Sequence, residues 1–238
     1  MDKKYSKWLS LVLTGAVWAL LCFSSIHAAT TNVPADQPTI KAGIDAAKSG
    51  DTVLVADGVY SGAGNRDISL SGKQLVIVSE SGPEATIIDC GGSQSEPHRG
   101  FLFDSGEDST TILRGFTIQN GYGSAGGPRG ELVGGGILIR SSSPTIENCI
   151  LRGNKANHGA GLFCQTSSSL IRSCVFDGDT AETFPTLGGG ASLTGNSSVE
   201  FSNCVFRNNW SSSGGGIYCD SSFVELINCA FDTNWAAG

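Results

Sequence analysis

Two stretches decide the fold: Gly188-Gly189-Gly190-Ala191-Ser192-Leu193 leading to Ser202-Asn203-Cys204-Val205-Phe206-Arg207-Asn208-Asn209-Trp210, and Gly214-Gly215-Gly216-Ile217-Tyr218-Cys219 leading to Ile227-Asn228-Cys229-Ala230-Phe231-Asp232-Thr233-Asn234-Trp235. Each joins a glycine cluster and an apolar strand to an Asn-Cys-apolar element. Looser copies begin at Gly134-Gly135-Gly136-Ile137 and Gly159-Ala160-Gly161-Leu162 and run on to Glu147-Asn148-Cys149 and Arg172-Ser173-Cys174. The clusters start 25, 29 and 26 residues apart, and Cys149, Cys174, Cys204 and Cys229 follow at 25, 30 and 25. Two markers that keep one period indicate stacked structural repeats.

The composition of the repeat selects among stacked folds. Short alternating runs of Val, Ile, Phe, Ser and Asn suit strands, helix-period stripes are absent, and so is the Leu-x-x-Leu-x-Leu pattern of leucine-rich repeats. The expectation is an all-β, single-stranded, right-handed parallel β-helix. In Ile137-Leu138-Ile139, Leu162-Phe163-Cys164, Ala191-Ser192-Leu193 and Ile217-Tyr218-Cys219 the outer residues face inward and the middle one outward. Ile146, Ile171, Phe201 and Leu226 mark the next inward position. Asn148, Ser173, Asn203 and Asn228 are expected to stack at a bend as a side-chain ladder, with Cys149, Cys174, Cys204 and Cys229 inward beside Leu151, Phe176, Phe206 and Phe231.

The earlier chain reads as less regular coils, with candidate strands at 53–55, 75–78, 86–88, 101–103, 111–113 and 116–118. Before them Ile40, Ile44 and Ala47 line one face of a short helix over Thr39–Lys48, the natural cap for an exposed first coil. No matching cap is visible after Trp235, so a domain spanning 30–238 is expected to be truncated at that end. Residues 1–29 read as a signal peptide: Lys3, Lys4 and Lys7 precede an apolar run from Trp8 to Phe23 and small residues at Ala28-Ala29. That run is shorter than a bilayer needs, and the mature domain is not expected to span a membrane. Secretion or display at the cell surface follows.

The full chain has a formal net charge of −7. Without the leader, 12 basic and 21 acidic residues remain, the arginines are scattered, and nucleic acid is not an expected partner. Seven cysteines remain as well. No Cys-x-x-Cys pair points to metal, neighbouring thiols project in parallel, and buried free thiols are expected. Cys164 and Cys219 should be aligned but two coils apart, beyond bridging distance.

Candidate chemistry is sparse. No adjacent Asp-Asp pair occurs, and His98 and His158 are the mature chain's histidines. His158 reads as a solvent-facing turn residue. Asp104, Glu107 and Asp108 match no calcium loop and read as a solvated loop. Arg152, Lys155 and Arg172 show no carboxylate set aligned one coil away and read as surface charge. Neither a metal nor a cofactor is expected, and no catalytic residue is assigned. Trp210 and Trp235, each following an Asn and 25 residues apart, should stack about 4.8 Å from one another and offer an apolar face to a sugar ring.

The glycine clusters paired with Phe206-Arg207-Asn208-Asn209 and Phe231-Asp232-Thr233-Asn234 resemble the repeats of bacterial polymorphic outer-membrane proteins. Leu151 to Asn154 and Phe176 to Asp179 are degraded copies, and Gly stands third in the cluster where that family usually has Ala. Gly43 to Tyr60 is similar to the first coil of the pectin-lyase-like superfamily. These resemblances imply the β-helix fold and an exported scaffold for surface adhesion or carbohydrate contact, with a polysaccharide or cell-surface glycan as partner. They leave two alternatives: a polysaccharide lyase or glycoside hydrolase whose active groups lie in coils outside this sequence, and an autotransported passenger domain.

Overall fold

The computed structural model describes residues 28–127, 130–183 and 185–237. Most of the expected leader, residues 1–27, lies outside them. The chain winds as a right-handed parallel β-helix of about eight turns. One turn runs through Leu162–Gln165, Leu170–Arg172, Val175–Asp177 and Thr180–Ala181 before the next begins at Ala191–Thr194. Stacking these segments gives four parallel sheets. Sheet A has eight strands and contains Leu170–Arg172; sheet B has seven and contains Val175–Asp177; sheet C has six and contains Leu162–Gln165; sheet D has four short strands and contains Thr180–Ala181.

The expected register holds. Ile137 pairs with Leu162, Leu162 with Ala191 and Ala191 with Ile217, while Leu151, Phe176, Phe206 and Phe231 form one column. Ile146, Ile171, Phe201, Cys149, Cys174 and Cys204 are buried as expected, whereas Leu226 and Phe231 are exposed on the last coil. Phe206 stacks on Phe176 at 4.5 Å and on Phe231 at 4.9 Å between ring centroids. The seven described cysteines are free thiols, and five of them are buried as expected, whereas on the last coil Cys229 is half-buried and Cys219 is exposed. Burial pushes Cys90 up to about 12 and holds Cys174 well above the ordinary thiol range.

Asn148, Ser173, Asn203 and Asn228 turn the chain from sheet A to sheet B with φ between 49° and 54°, a left-handed conformation that asparagine tolerates. Only one rung of the expected ladder forms in this column, Asn228 donating to Asn203 at 2.6 Å. The buried ladder lies at the next corner and is made by the last residue of each Phe-x-x-Asn motif and its degraded copies. Asn154 donates to Asp179 Oδ1, Asp179 N to Asn209 Oδ1, and Asn209 Nδ2 to Asn234 Oδ1, at 2.9–3.0 Å. Exposed bend amides bond to water at little cost. Enclosed ones need partners in the next coil.

The glycine clusters are the other half of this device. A Cβ on Gly136, Gly161 or Gly190 would approach the ladder side chain of its coil, at 3.0 Å from Asn154 Nδ2, 2.5 Å from Asp179 Oδ2 and 3.2 Å from Asn209 Nδ2. The third glycine is therefore the seat of the ladder side chain. Asp179 is the odd member. Each ladder asparagine donates Nδ2 to a sheet-B carbonyl one coil back, Asn154 to Ile118, Asn209 to Phe176 and Asn234 to Phe206. Asp179 Oδ2 is buried with no partner. Burial holds its carboxyl well above the usual carboxylate range, despite the bonds from Asn154. A protonated acid can mimic the asparagine and donate to the equivalent carbonyl, that of Leu151.

At the N-terminal end a strand at Thr30–Val33, absent from the sequence reading, precedes the helix and pairs with Thr52–Val55. The helix is Ile40–Ala46, capped by the Thr39 side chain accepting from Ala42 N. Ile40 and Ile44 are fully buried in the core. The helix thus closes the first coil from inside its opening turn. No described helix is long and apolar enough to cross a membrane.

Candidate functional site

Outward residues of sheet C form the floor of a furrow running along the helix axis. One row is Leu102, Leu138, Phe163, Ser192 and Tyr218; the row of pairs beside it carries Arg140, Gln165 and Thr194. Leu138, Phe163 and Ser192 point outward yet are buried, so outward did not mean exposed. Val133, from an antiparallel hairpin of Ser124–Ala125 with Leu132–Val133, makes a small apolar cluster with Leu138, Phe163 and Leu102 outside the main core, while Gly188 lies against Ser192. The other flank is a column of single bridges joining Val133, His158, Leu187 and Ser213.

Two cavities open on this floor and share the hairpin as a wall. The larger, about 520 Å³, is lined by Glu131, His158, Phe163, Gln165, Thr194 and Asp220 among others. The smaller, about 310 Å³, is lined by Asp67, Arg99, Leu102, Asp104, Leu138 and Arg140 with part of the hairpin. Arg140 and Gln165 meet between them, Nε donating to Oε1 at 3.0 Å. Ser192 Oγ and Thr194 Oγ1 are buried on this face without hydrogen-bond partners. Hydroxyls left so are costly unless water or a ligand completes them.

His158 is half-buried on the wall of the larger cavity rather than free in solvent, and burial lowers its pKa, so the ring is neutral at pH 7. Glu107 is buried too, and its carboxylate accepts from Gly72 N, Ser105 N and Ser142 Oγ at 2.9–3.0 Å. It staples loops of adjacent coils and is not part of a solvated acidic loop. Among the described residues no cluster of potential metal ligands occurs. Arg152 and Lys155 do have carboxylates one coil away, contrary to expectation: Arg152 pairs in register with Asp177, and Lys155 Nζ lies 2.7 Å from Glu182. Lys155 with Glu182, and Arg207 with Asp177 at 2.9 Å, are surface ion pairs between coils, and each contributes little, while Arg152 Nη2 donates to Gln119 Oε1 at 3.1 Å.

Trp210 and Trp235 are register partners on sheet D, 38% and 66% exposed. They come together as spacing requires, but they line neither cavity.

Residues 135–238 match the family described as the right handed beta helix region. A solved structure, the crystal structure of pectin methylesterase in complex with hexasaccharide VII, superposes with a TM-score of 0.51 at 12% sequence identity, over 87% of this chain. The shared feature is the fold, a right-handed parallel β-helix. The β-helix described here spans 66% of the length of that solved chain. No curated protein matches it in sequence, and the likeness to polymorphic outer-membrane repeats remains one of motif.

Proposed function

We propose that this β-helix is an exported, non-catalytic scaffold that holds an extended glycan along the sheet C furrow. The observation that carries this reading is the furrow itself: an outward polar row, Arg140, Gln165 and Thr194, continued over three coils beside the hairpin wall, with unpartnered hydroxyls at Ser192 and Thr194 on one of them. A polysaccharide suits such a surface because its rings present apolar faces and hydroxyl edges in alternation. The solved neighbour's hexasaccharide complex supports the class of ligand. Export rests on the leader-like segment at 1–29, and surface display or adhesion is the setting in which a long solenoid face is useful. Trp210 and Trp235, register partners on adjacent coils, are proposed as a second, outlying sugar contact on sheet D.

Retention on immobilised polysaccharides by affinity electrophoresis tests the assignment. Thr194→Trp, which fills the furrow floor, is expected to abolish retention, while the pair Trp210→Ala and Trp235→Ala lowers it severalfold. Retention untouched by Thr194→Trp would refute the furrow, and retention untouched by the double alanine variant would refute the platform.

A polysaccharide-cleaving enzyme is the second reading, favoured by His158, Glu131 and Asp220 lining one cavity beside Gln165. Release of reducing ends or of methanol from a pectin panel, lost in His158→Ala, would establish it in place of the scaffold.

A further inference from the structure

The smaller cavity holds a feature that glycan contact alone does not explain. Arg99 is only 4% exposed, and its Nη1 is buried with no hydrogen-bond partner. Its other nitrogen, Nη2, is fixed by Ser124, donating to the hydroxyl and to the carbonyl of that residue. The guanidinium is therefore oriented by the hairpin with one face unused. Arg140 lines the same cavity from the next coil, and its planar group is likewise pinned, Nε to Gln165 and Nη2 to the Gly126 carbonyl. Burial lowers Arg99 to about 10, with the Asp67 and Asp104 charges opposing the shift and the Arg140 charge adding to it. It stays charged at neutral pH, and two cations are held around one small space.

The carboxylates nearby do not neutralise this arrangement through Arg99 Nη1. Asp67 spends one oxygen on the Arg99 backbone N–H at 2.9 Å and the other on His98 Nδ1 at 2.6 Å. Asp104 lines the cavity but is exposed, and Oδ1 accepts from Ser105 Oγ at 3.2 Å. Leu102 and Leu138 supply an apolar floor. What fits between two pre-oriented guanidiniums is a compact oxyanion, bound by charge-assisted N–H···O bonds, with an apolar body against the leucines and a hydroxyl toward Asp104.

We propose that Arg99 and Arg140 form an oxyanion-binding site at the N-terminal end of the furrow, taking the carboxylate or sulfate group of an acidic sugar. The sugar as carrier rests on the glycan reading above; the oxyanion site does not. The test is a titration of the full chain, followed by NMR of the arginine side-chain N–H groups at constant ionic strength. The probes are inorganic sulfate, methyl glucuronoside and the neutral methyl glucoside.

Saturable shifts of the Arg99 resonance with sulfate or glucuronoside, and none with glucoside, are expected. Sulfate alone saturating identifies a sulfate ester, and glucuronoside alone a carboxylate. Arg140→Gln should weaken binding at least about tenfold, the scale of losing one charged hydrogen bond. It does so with a dispersed spectrum, which avoids reliance on Arg99 variants that fail to fold. Absence of saturation in the wild type, or unchanged affinity in Arg140→Gln, would overturn the site. Glycan retention without oxyanion binding sinks this inference alone, and oxyanion binding without glycan retention sinks the glycan reading alone.

Discussion

The coils after Gly134 and those before it solve the same problem by different means. In the later coils the corners repeat, so one seat, one ladder residue and one large apolar core side chain, Leu151, Phe176, Phe206 or Phe231, recur at each level. In the earlier coils the corners vary, a helix fills the first turn, Glu107 staples loops that no ladder reaches, and the hairpin at Ser124–Val133 leaves the stack to lie over sheet C. Both cavities lie against that hairpin. Repetition builds the core, and departures from it build the site, because a furrow needs a wall that the repeat alone does not supply.

The comparison can be broken most sharply in the repeat region. Phe206→Ala removes the middle ring of a three-ring stack and should cost about 3–5 kcal/mol in urea unfolding, as large-to-small changes in closed cores do. Phe231→Ala, on the exposed last coil, should cost much less. Equal losses would mean that the column is not a shared core.

In the irregular region Glu107→Ala strands two backbone N–H groups and the Ser142 hydroxyl. A loss of about 2–4 kcal/mol is expected, measured in the same way. A loss below 0.5 kcal/mol would show that the loops hold without the staple.

Asp179→Asn sharpens the ladder in the opposite direction. The folded chain keeps a proton on Asp179 that the unfolded chain releases above about pH 4. Wild-type stability should therefore fall as pH rises from there through the raised folded pKa. The asparagine variant lacks this decline and gains about 1–3 kcal/mol at pH 7. A wild type and variant with parallel pH profiles would rule out the protonated ladder acid.

Much of this was legible in sequence, and the reason is periodicity. Columns such as Cys149-Cys174-Cys204 and Leu151-Phe176-Phe206 follow from spacing, since a fixed period places residues one above another. Which asparagine column is buried did not follow, because Asn203 and Asn209 carry the same side chain and differ only in what encloses them. The pairing of a third glycine with the last residue of Phe-x-x-Asn was the available signal. The site was less legible still. Arg99 and Glu107 look like surface charges in a sequence, and only the hairpin, formed by a glycine-rich loop without strand-like patterning, makes one of them a buried donor.

The smallest expected effect concerns the exposed aromatics. Trp210→Ala with Trp235→Ala should leave stability within about 1 kcal/mol, since both rings are largely outside the core. A larger loss would make them packing residues and weaken their assignment as a sugar contact.

Stacking of coils in register is most directly measured by electron paramagnetic resonance on nitroxides at Asp177→Cys and Arg207→Cys, with Cys219→Ser removing the exposed native thiol. These positions are 30 residues apart in sequence and register partners on the outer face of sheet B. Adjacent coils predict strong dipolar broadening relative to either single label. Narrow lines, the sum of the two single-label spectra, would contradict the β-helix register.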